Sequence, residues 1–279
     1  MKKIHPDYFY LPEQFWKKHE LCVYLIGQVE EFILKEEYIG LKVFSLNLEN
    51  EKDTPNRNEH IFDFLIRTKR KDYYEKLVTC QVLHGLIIDM CYFIQEALTC
   101  SKKQRTVVTF ALLRKPFVYD LIVVLRLMFE DGFIEKFNEE DDFDSTGLNK
   151  DEKIVLLEEA TKYTLTKPIT EIEMYEFIFD TKNPNSIINL SNKALHPSTT
   201  RNQNNKTGKQ NLNFAFSENE DIQRYWQYIY SVLPMVLTYL VEIIEIFVFS
   251  LLEIDSKIYS ARIEDRAQKL IELTGVKIE

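Results

Sequence analysis

Apolar side chains recur three and four residues apart along most of this chain, which is the spacing of one face of an α-helix. The longest such stripe follows Ser217 and Glu220, which have the spacing of a helix-capping box. Its apolar positions are Ile222, Tyr225, Trp226, Ile229, Leu233, Val236, Leu237, Leu240, Ile243, Ile244 and Phe247. A similar segment begins at Pro12, a residue that favours the first turn of a helix. The pattern predicts an all-α protein.

Two central segments, residues 73–100 and 105–133, are apolar nearly all round and are therefore expected to be buried helices. Pro116 predicts a kink or a break in the second of them. Four charged residues interrupt these segments: Asp89, Arg114, Asp120 and Arg126. A buried charge is costly unless it is paired, so two interpretations are open. The charges form ion pairs between adjacent helices, or they line a polar cavity in which pKa values are perturbed.

An acidic segment with few apolar residues, 136–152, reads as an exposed linker or loop. It separates an N-terminal helical half, 1–135, from a C-terminal half, 153–279, unless both belong to one continuous domain, 1–279. Capping boxes at Asn149/Glu152 and Thr170/Glu173 predict two more helix starts. Together these signals predict a bundle of about eight helices with one long polar basic loop.

The longest apolar stripe raises the question of a membrane span, because residues 225–241 carry no charge. That run of 17 residues is at the short limit for crossing a bilayer. Pro234 interrupts it, and Glu242 and Glu245 follow it at once. A buried bundle helix is the expectation, with no membrane partner.

Composition narrows the function classes further. Glycine is scarce, at 7 of 279 residues, and neither common Gly-rich phosphate loop occurs. The four cysteines include no C-x-x-C pair, and the N-terminus lacks an apolar signal-peptide core. Cys80 and His84 lie one helical turn apart, but no second ligand pair matches them. We expect a cytoplasmic protein without a metal or cofactor.

The strongest functional signal is a polar stretch, residues 191–217, which we call the basic segment. It contains no acidic residue although the chain as a whole has a net charge of -9. Its cations are Lys193, Arg201, Lys206 and Lys209. Lysine and arginine attract nucleic-acid phosphates, and neighbouring Asn, Gln and Thr side chains hydrogen-bond to them. The segment is either a solvated surface loop or a site for RNA or another phosphate-bearing ligand.

The same segment offers a catalytic alternative. Histidine exchanges protons readily near neutral pH, so His196 could serve as general base or acid. Arg201, with Asn202 beside it, could stabilise a pentavalent phosphorane, which is enough for metal-independent cleavage of RNA. Leu212, Phe214 and Phe216 alternate along the chain and predict an extended anchor onto the core.

An all-helical bundle with a His/Arg polar segment resembles the HEPN superfamily, over about residues 70–255. That resemblance implies either an RNA-cleaving toxin or phage-defence effector, or a non-catalytic binding or dimerisation module. The family motif is an arginine followed after four to six residues by a histidine, and no such pair occurs here. "HPSTTRN" has the reverse order, with His196 before Arg201.

Two functional hypotheses follow. The first is a non-enzymatic helical interaction or regulatory module within a microbial defence or toxin system, with a protein partner or a second copy as its target. The second is a metal-independent endoribonuclease that uses His196 and Arg201.

Overall fold

The fold is all-α, as the sequence predicts. The computed structural model describes residues 4–46, 48, 54–167, 169–200, 203, 206–214 and 217–274. Helices account for 70% of the described residues, which contain no β-strand. His5 and Phe9 form one isolated antiparallel bridge.

Eleven α-helices occur in the described residues. They are α1 (Trp16–Leu34), α2 (Ile61–Arg67), α3 (Lys71–Lys102), α4 (Thr106–Arg114), α5 (Leu121–Phe129), α6 (Phe133–Glu139), α7 (Lys150–Thr161), α8 (Glu171–Ile178), α9 (Ile187–Leu195), α10 (Asn219–Leu252) and α11 (Ser256–Thr274). Short 3₁₀ turns cover Glu13–Phe15 and Glu36–Leu41, and a π-helical turn, Lys115–Asp120, joins α4 to α5.

The predicted count of about eight helices is wrong because three short helices escape the periodicity argument. α2, α6 and α9 have seven to nine residues each, too few for a 3.6-residue period to stand out. α6 also corrects the predicted linker at 136–152: its first four residues lie in α6, and its last three open α7. The acidic composition hid α6 because it buries only Phe133 and Ile134.

Two of the predicted helix starts are confirmed. At α7, Asn149 and Glu152 form a reciprocal capping box, and at α8 Thr170 and Glu173 do the same. The box expected at Ser217 and Glu220 is displaced by one residue. α10 is capped by Glu218 with Asp221, whose carboxylate accepts the Glu218 backbone N–H at 2.9 Å.

The main hydrophobic core surrounds α10, which buries 18 of its 34 residues. Core side chains come from both sides of the acidic segment, among them Leu25 and Ile87 before it and Leu157 and Leu240 after it. The division into two helical halves stays a prediction, as does the alternative of one continuous domain.

Two helices are long and apolar enough to cross a membrane by length and composition alone, α3 and α10. Core helices of soluble proteins pass the same test, and 44% and 72% of the respective apolar windows are buried inside the protein. Pro234 lies inside α10, and Glu242 and Glu245 are both 0% exposed. Both carboxylates accept hydrogen bonds from other elements, so this charged part of α10 lies inside the protein.

Candidate anion-binding site

The basic segment begins inside a helix. Residues 191–195 form the end of α9, and His196 is its C-terminal cap residue, whose N–H donates to the Asn192 carbonyl at 3.1 Å. α9 packs along α4. The loop expected over 191–217 therefore starts at 196. Lys193, the first cation of the basic segment, lies in α9, whose packing against α4 fixes its position.

Side-chain and backbone hydrogen bonds join the outgoing and returning parts of the loop. The Thr207 N–H donates to the Thr199 carbonyl at 2.9 Å, and the Thr199 N–H donates to Thr207 Oγ1 at 2.8 Å. Asn213 then binds the start of the loop: its Nδ2 donates to the His196 carbonyl at 2.9 Å, and its N–H donates to the Pro197 carbonyl at 2.8 Å. These four hydrogen bonds fix the base of the loop from which Lys206 and Lys209 extend.

The predicted apolar anchor is correct at one position and wrong at another. The Phe214 ring lies 6.0 Å from the Phe110 ring and 5.2 Å from the Tyr225 ring, centroid to centroid. Leu212, expected on the same side, is 47% exposed. Gln210 and Phe214 have positive φ angles of 56° and 59°, so the chain turns there and the two-residue alternation of a strand does not apply. Phe216 lies outside the described residues.

The predicted ligand-binding lysines differ in their surroundings. Lys206 and Lys209 are exposed, as is His196. Lys193 is half-buried, and burial alone lowers its pKa, with no carboxylate acting against that effect. Arg201 and Asn202 lie outside the described residues, so their proposed role stays a prediction.

Arg114, at the end of α4, meets the basic segment directly. Its Nη1 donates to Ser191 Oγ at 3.3 Å and, more closely, to Asn192 Oδ1. Its Nε donates to the Tyr119 hydroxyl at 2.9 Å. All three acceptors are neutral, and Arg114 forms no ion pair with a carboxylate in the described part of the chain. Its Nη2 group, with two N–H donors, makes no hydrogen bond to a described residue.

The meeting of Arg114 and Tyr119 depends on the π-helical turn. Residues five apart on a regular α-helix point about 140° away from each other, at 3.6 residues per turn. Pro116 lacks a backbone N–H, and the Leu121 N–H bonds to the Pro116 carbonyl five residues earlier. This wider turn continues the helical path, where a kink or break was expected at Pro116, and brings the guanidinium and the phenol together. π-helical turns of this kind are frequent at functional sites.

The charged residues inside the central helices separate into paired and unpaired groups. Lys115 forms an ion pair with Asp89 of α3, and Arg126 forms one with Glu130 at 2.6 Å. The Lys115–Asp89 pair joins two elements and agrees with the ion-pair interpretation, whereas Arg126 pairs with the residue that caps its own helix. Asp120 agrees with the second interpretation, in which a charged residue has a perturbed pKa. It is 4% exposed, and its Oδ2 has no hydrogen-bond partner among the described residues. Burial raises the pKa of Asp120 to about 7, against the opposing effect of Lys115.

Asp120→Asn should leave stability nearly unchanged at about pH 4 and raise it at about pH 8. The folded-state pKa is raised from 3.8 to about 7, so the bound proton stabilises the fold at low pH. That contribution is lost as the pH rises through about 7, whereas asparagine stays neutral throughout. At high pH the free energy of unfolding of Asp120→Asn can exceed that of the wild type by about 4 kcal/mol, since one pKa unit is worth about 1.4 kcal/mol.

Urea unfolding of both proteins at the two pH values measures this difference. Asp142→Asn is the matched control, because Asp142 is exposed in the acidic segment and does not contribute to the raised pKa of Asp120. It should bring no gain at high pH. Equal stability of Asp120→Asn and wild type at both pH values would contradict the prediction.

Comparison with protein-family models, curated proteins and solved structures found no match to this chain. Sequence reasoning singled out Arg114 as a charge within an apolar helix, but it missed that Arg114 lies against the basic segment. It missed Tyr119 altogether, because α-helical spacing places that residue on another face.

Proposed function

We propose that this protein is a non-enzymatic helical interaction module that binds the phosphate groups of RNA at Arg114 and the basic segment. One observation carries the proposal. Among the described residues, the Arg114 guanidinium hydrogen-bonds only to neutral oxygens, and its Nη2 donors remain for an incoming anion. A planar fork of N–H donors matches the geometry of two phosphate oxygens.

The lysines of the basic segment support the same ligand class. Lys193 stands three residues before His196, and only burial affects its pKa. An ammonium group without a carboxylate beside it gains free energy when an anion approaches. Lys206 and Lys209 extend from the loop into solvent, where they can contact further phosphates along a chain. Nucleic-acid-binding sites commonly combine such exposed cations with a few hydrogen-bond donors that the fold holds in place.

The non-enzymatic form of the proposal is favoured over the ribonuclease. General base catalysis requires an imidazole held within hydrogen-bond reach of the reacting hydroxyl. His196 is exposed at the end of α9, and its described hydrogen bonds use backbone atoms: its N–H donates to Asn192 and its carbonyl accepts from Asn213. Binding through Arg114 requires no such alignment.

The salt dependence of binding tests the proposal. A labelled oligouridylate, followed by fluorescence anisotropy, should bind the protein with an affinity that falls as salt rises, because each neutralised phosphate releases counterions. Arg114→Gln should reduce the slope of log affinity against log salt by about 0.7, the value for one phosphate contact on a single strand. Replacing both Lys206 and Lys209 with alanine should reduce it by up to about 1.4.

The matched control replaces Lys162 and Lys257 with alanine, which removes the same charge from exposed positions outside the site. Its salt slope should equal that of the wild type. The proposal fails if the wild type does not bind at low salt, or if both lysine pairs change the slope equally. Cleavage of the oligonucleotide by the wild type, and its loss in His196→Ala, would favour the ribonuclease instead.

A further inference from the structure

Tyr119 is an aromatic side chain at the surface beside the candidate anion-binding site. It belongs to the π-helical turn and is 36% exposed, although most other residues of that turn are buried. Its hydroxyl accepts the Arg114 Nε–H at 2.9 Å. The Arg114 Cζ atom lies 5.3 Å from the ring centroid. The hydrogen bond and the cation–π contact fix the ring relative to the guanidinium.

This arrangement puts two kinds of recognition next to each other. The guanidinium supplies donors for a phosphate, and the exposed part of the ring supplies a flat apolar surface. A nucleotide contains both complementary parts, a phosphate and a base, joined by one sugar. Inorganic phosphate or a phosphorylated amino-acid side chain would use the guanidinium but would leave the ring without a partner.

We propose that Tyr119 is a stacking surface for one unpaired base of the strand whose phosphate Arg114 holds. The inference rests on the proposed function and narrows it to single-stranded nucleic acid. Bases in a duplex are already stacked on their neighbours, whereas unpaired bases are free to stack on aromatic side chains. Stacking of this kind tolerates any base, because every base has a π-face.

The experiment compares two ligands of equal length and charge, a labelled oligothymidylate and the corresponding abasic oligodeoxynucleotide. Anisotropy titrations at low salt give the affinity of each ligand for the wild type, Tyr119→Leu and Tyr119→Phe. The wild type should prefer the base-containing strand by about 5- to 150-fold, the range for stacking one base on an aromatic side chain. Tyr119→Leu should lose that preference, and both of its affinities should approach the wild-type value for the abasic strand.

Tyr119→Phe is the matched control, because it removes the hydroxyl that binds Arg114 but keeps the ring. It should retain the preference for bases. If phenylalanine and leucine behave alike, the preference does not come from the ring and the inference is overturned. Equal affinity of the wild type for both ligands also overturns it but leaves the phosphate-binding proposal intact. No binding of either ligand rejects both proposals together.

Discussion

Glu245→Ala should lower the free energy of unfolding by about 3–5 kcal/mol, the cost of leaving a buried charge without its partner. Glu245 lies in α10 with a fully buried side chain, and it binds two guanidinium groups from α11. Arg262 Nε donates to Oε1, and Arg266 Nη2 donates to Oε2 at 2.8 Å. Both arginines are almost completely buried, so neither can recover its hydration when the carboxylate is removed.

A second variant separates lost charge compensation from lost packing. Replacing Glu245, Arg262 and Arg266 together with leucine and two methionines removes the three buried charges and fills a similar volume. Glu31, which also binds Arg262, is 34% exposed and keeps its ion pair with Lys35. Buried ion pairs replaced in this way often cost little, so the triple variant should be more stable than Glu245→Ala. Urea unfolding measures both.

Glu253→Ala serves as the exposed comparison. Its carboxylate is 85% exposed and pairs with Lys76 at 3.6 Å, so its loss should cost less than about 1 kcal/mol. An equal loss for Glu245→Ala and Glu253→Ala would mean that α11 is not held by this cluster.

The helices and several of their starts could be predicted from sequence because their signals are local. A capping box such as Asn149 with Glu152 needs only three residues of separation, and its two hydrogen bonds form whatever the rest of the chain does. The stripe along α10 likewise repeats over many turns. Such patterns predict an all-α fold without any knowledge of how the helices pack.

The partners of buried charges could not be predicted in the same way. Glu245 and Arg262 are 17 residues apart on different helices, and nothing in their spacing connects them. From sequence, Glu242 and Glu245 only marked the end of an apolar run. In the structure Glu242 accepts hydrogen bonds from Leu165 and Thr166, so both carboxylates attach other elements to α10.

The candidate site was predicted in composition but not in geometry. Charge segregation along residues 191–217 is visible in the sequence, and it located the basic segment. The contribution of Arg114 depends on how α4 packs against α9, and that of Tyr119 depends on a π-helical turn, whose side-chain spacing departs from the 3.6-residue period. The turn at Gln210 has a related effect, since a left-handed residue ends the alternation that placed Leu212 on the core.

Trp226→Ala should lower the free energy of unfolding by about 3–5 kcal/mol, the usual cost of truncating a large buried aromatic side chain. Trp226 is 0% exposed and lies on the predicted core stripe of α10. Its ring lies 6.5 Å from the Phe15 ring, centroid to centroid, and its indole N–H donates to the Ser101 carbonyl at 3.0 Å. The side chain therefore joins α10 to the start of α1 and the end of α3, and its removal leaves a cavity at that junction.

Two further variants divide this loss into its parts. Trp226→Phe keeps most of the ring volume but removes the indole donor, while the Ser101 carbonyl still accepts the Gln104 N–H at 3.1 Å. It should therefore cost less than the alanine variant, and about 0.5–1.5 kcal/mol of its cost is the lost hydrogen bond. Gln227→Ala, the exposed neighbour on the same helix, should change stability by less than about 0.5 kcal/mol. Urea unfolding of the three variants gives the comparison.

A loss below about 1 kcal/mol for Trp226→Ala would mean that this face of α10 is not core, because removing a buried indole costs more than that. The apolar stripe would then be free to contact a partner protein or a membrane, and the hydrophobic core of the bundle would lie elsewhere.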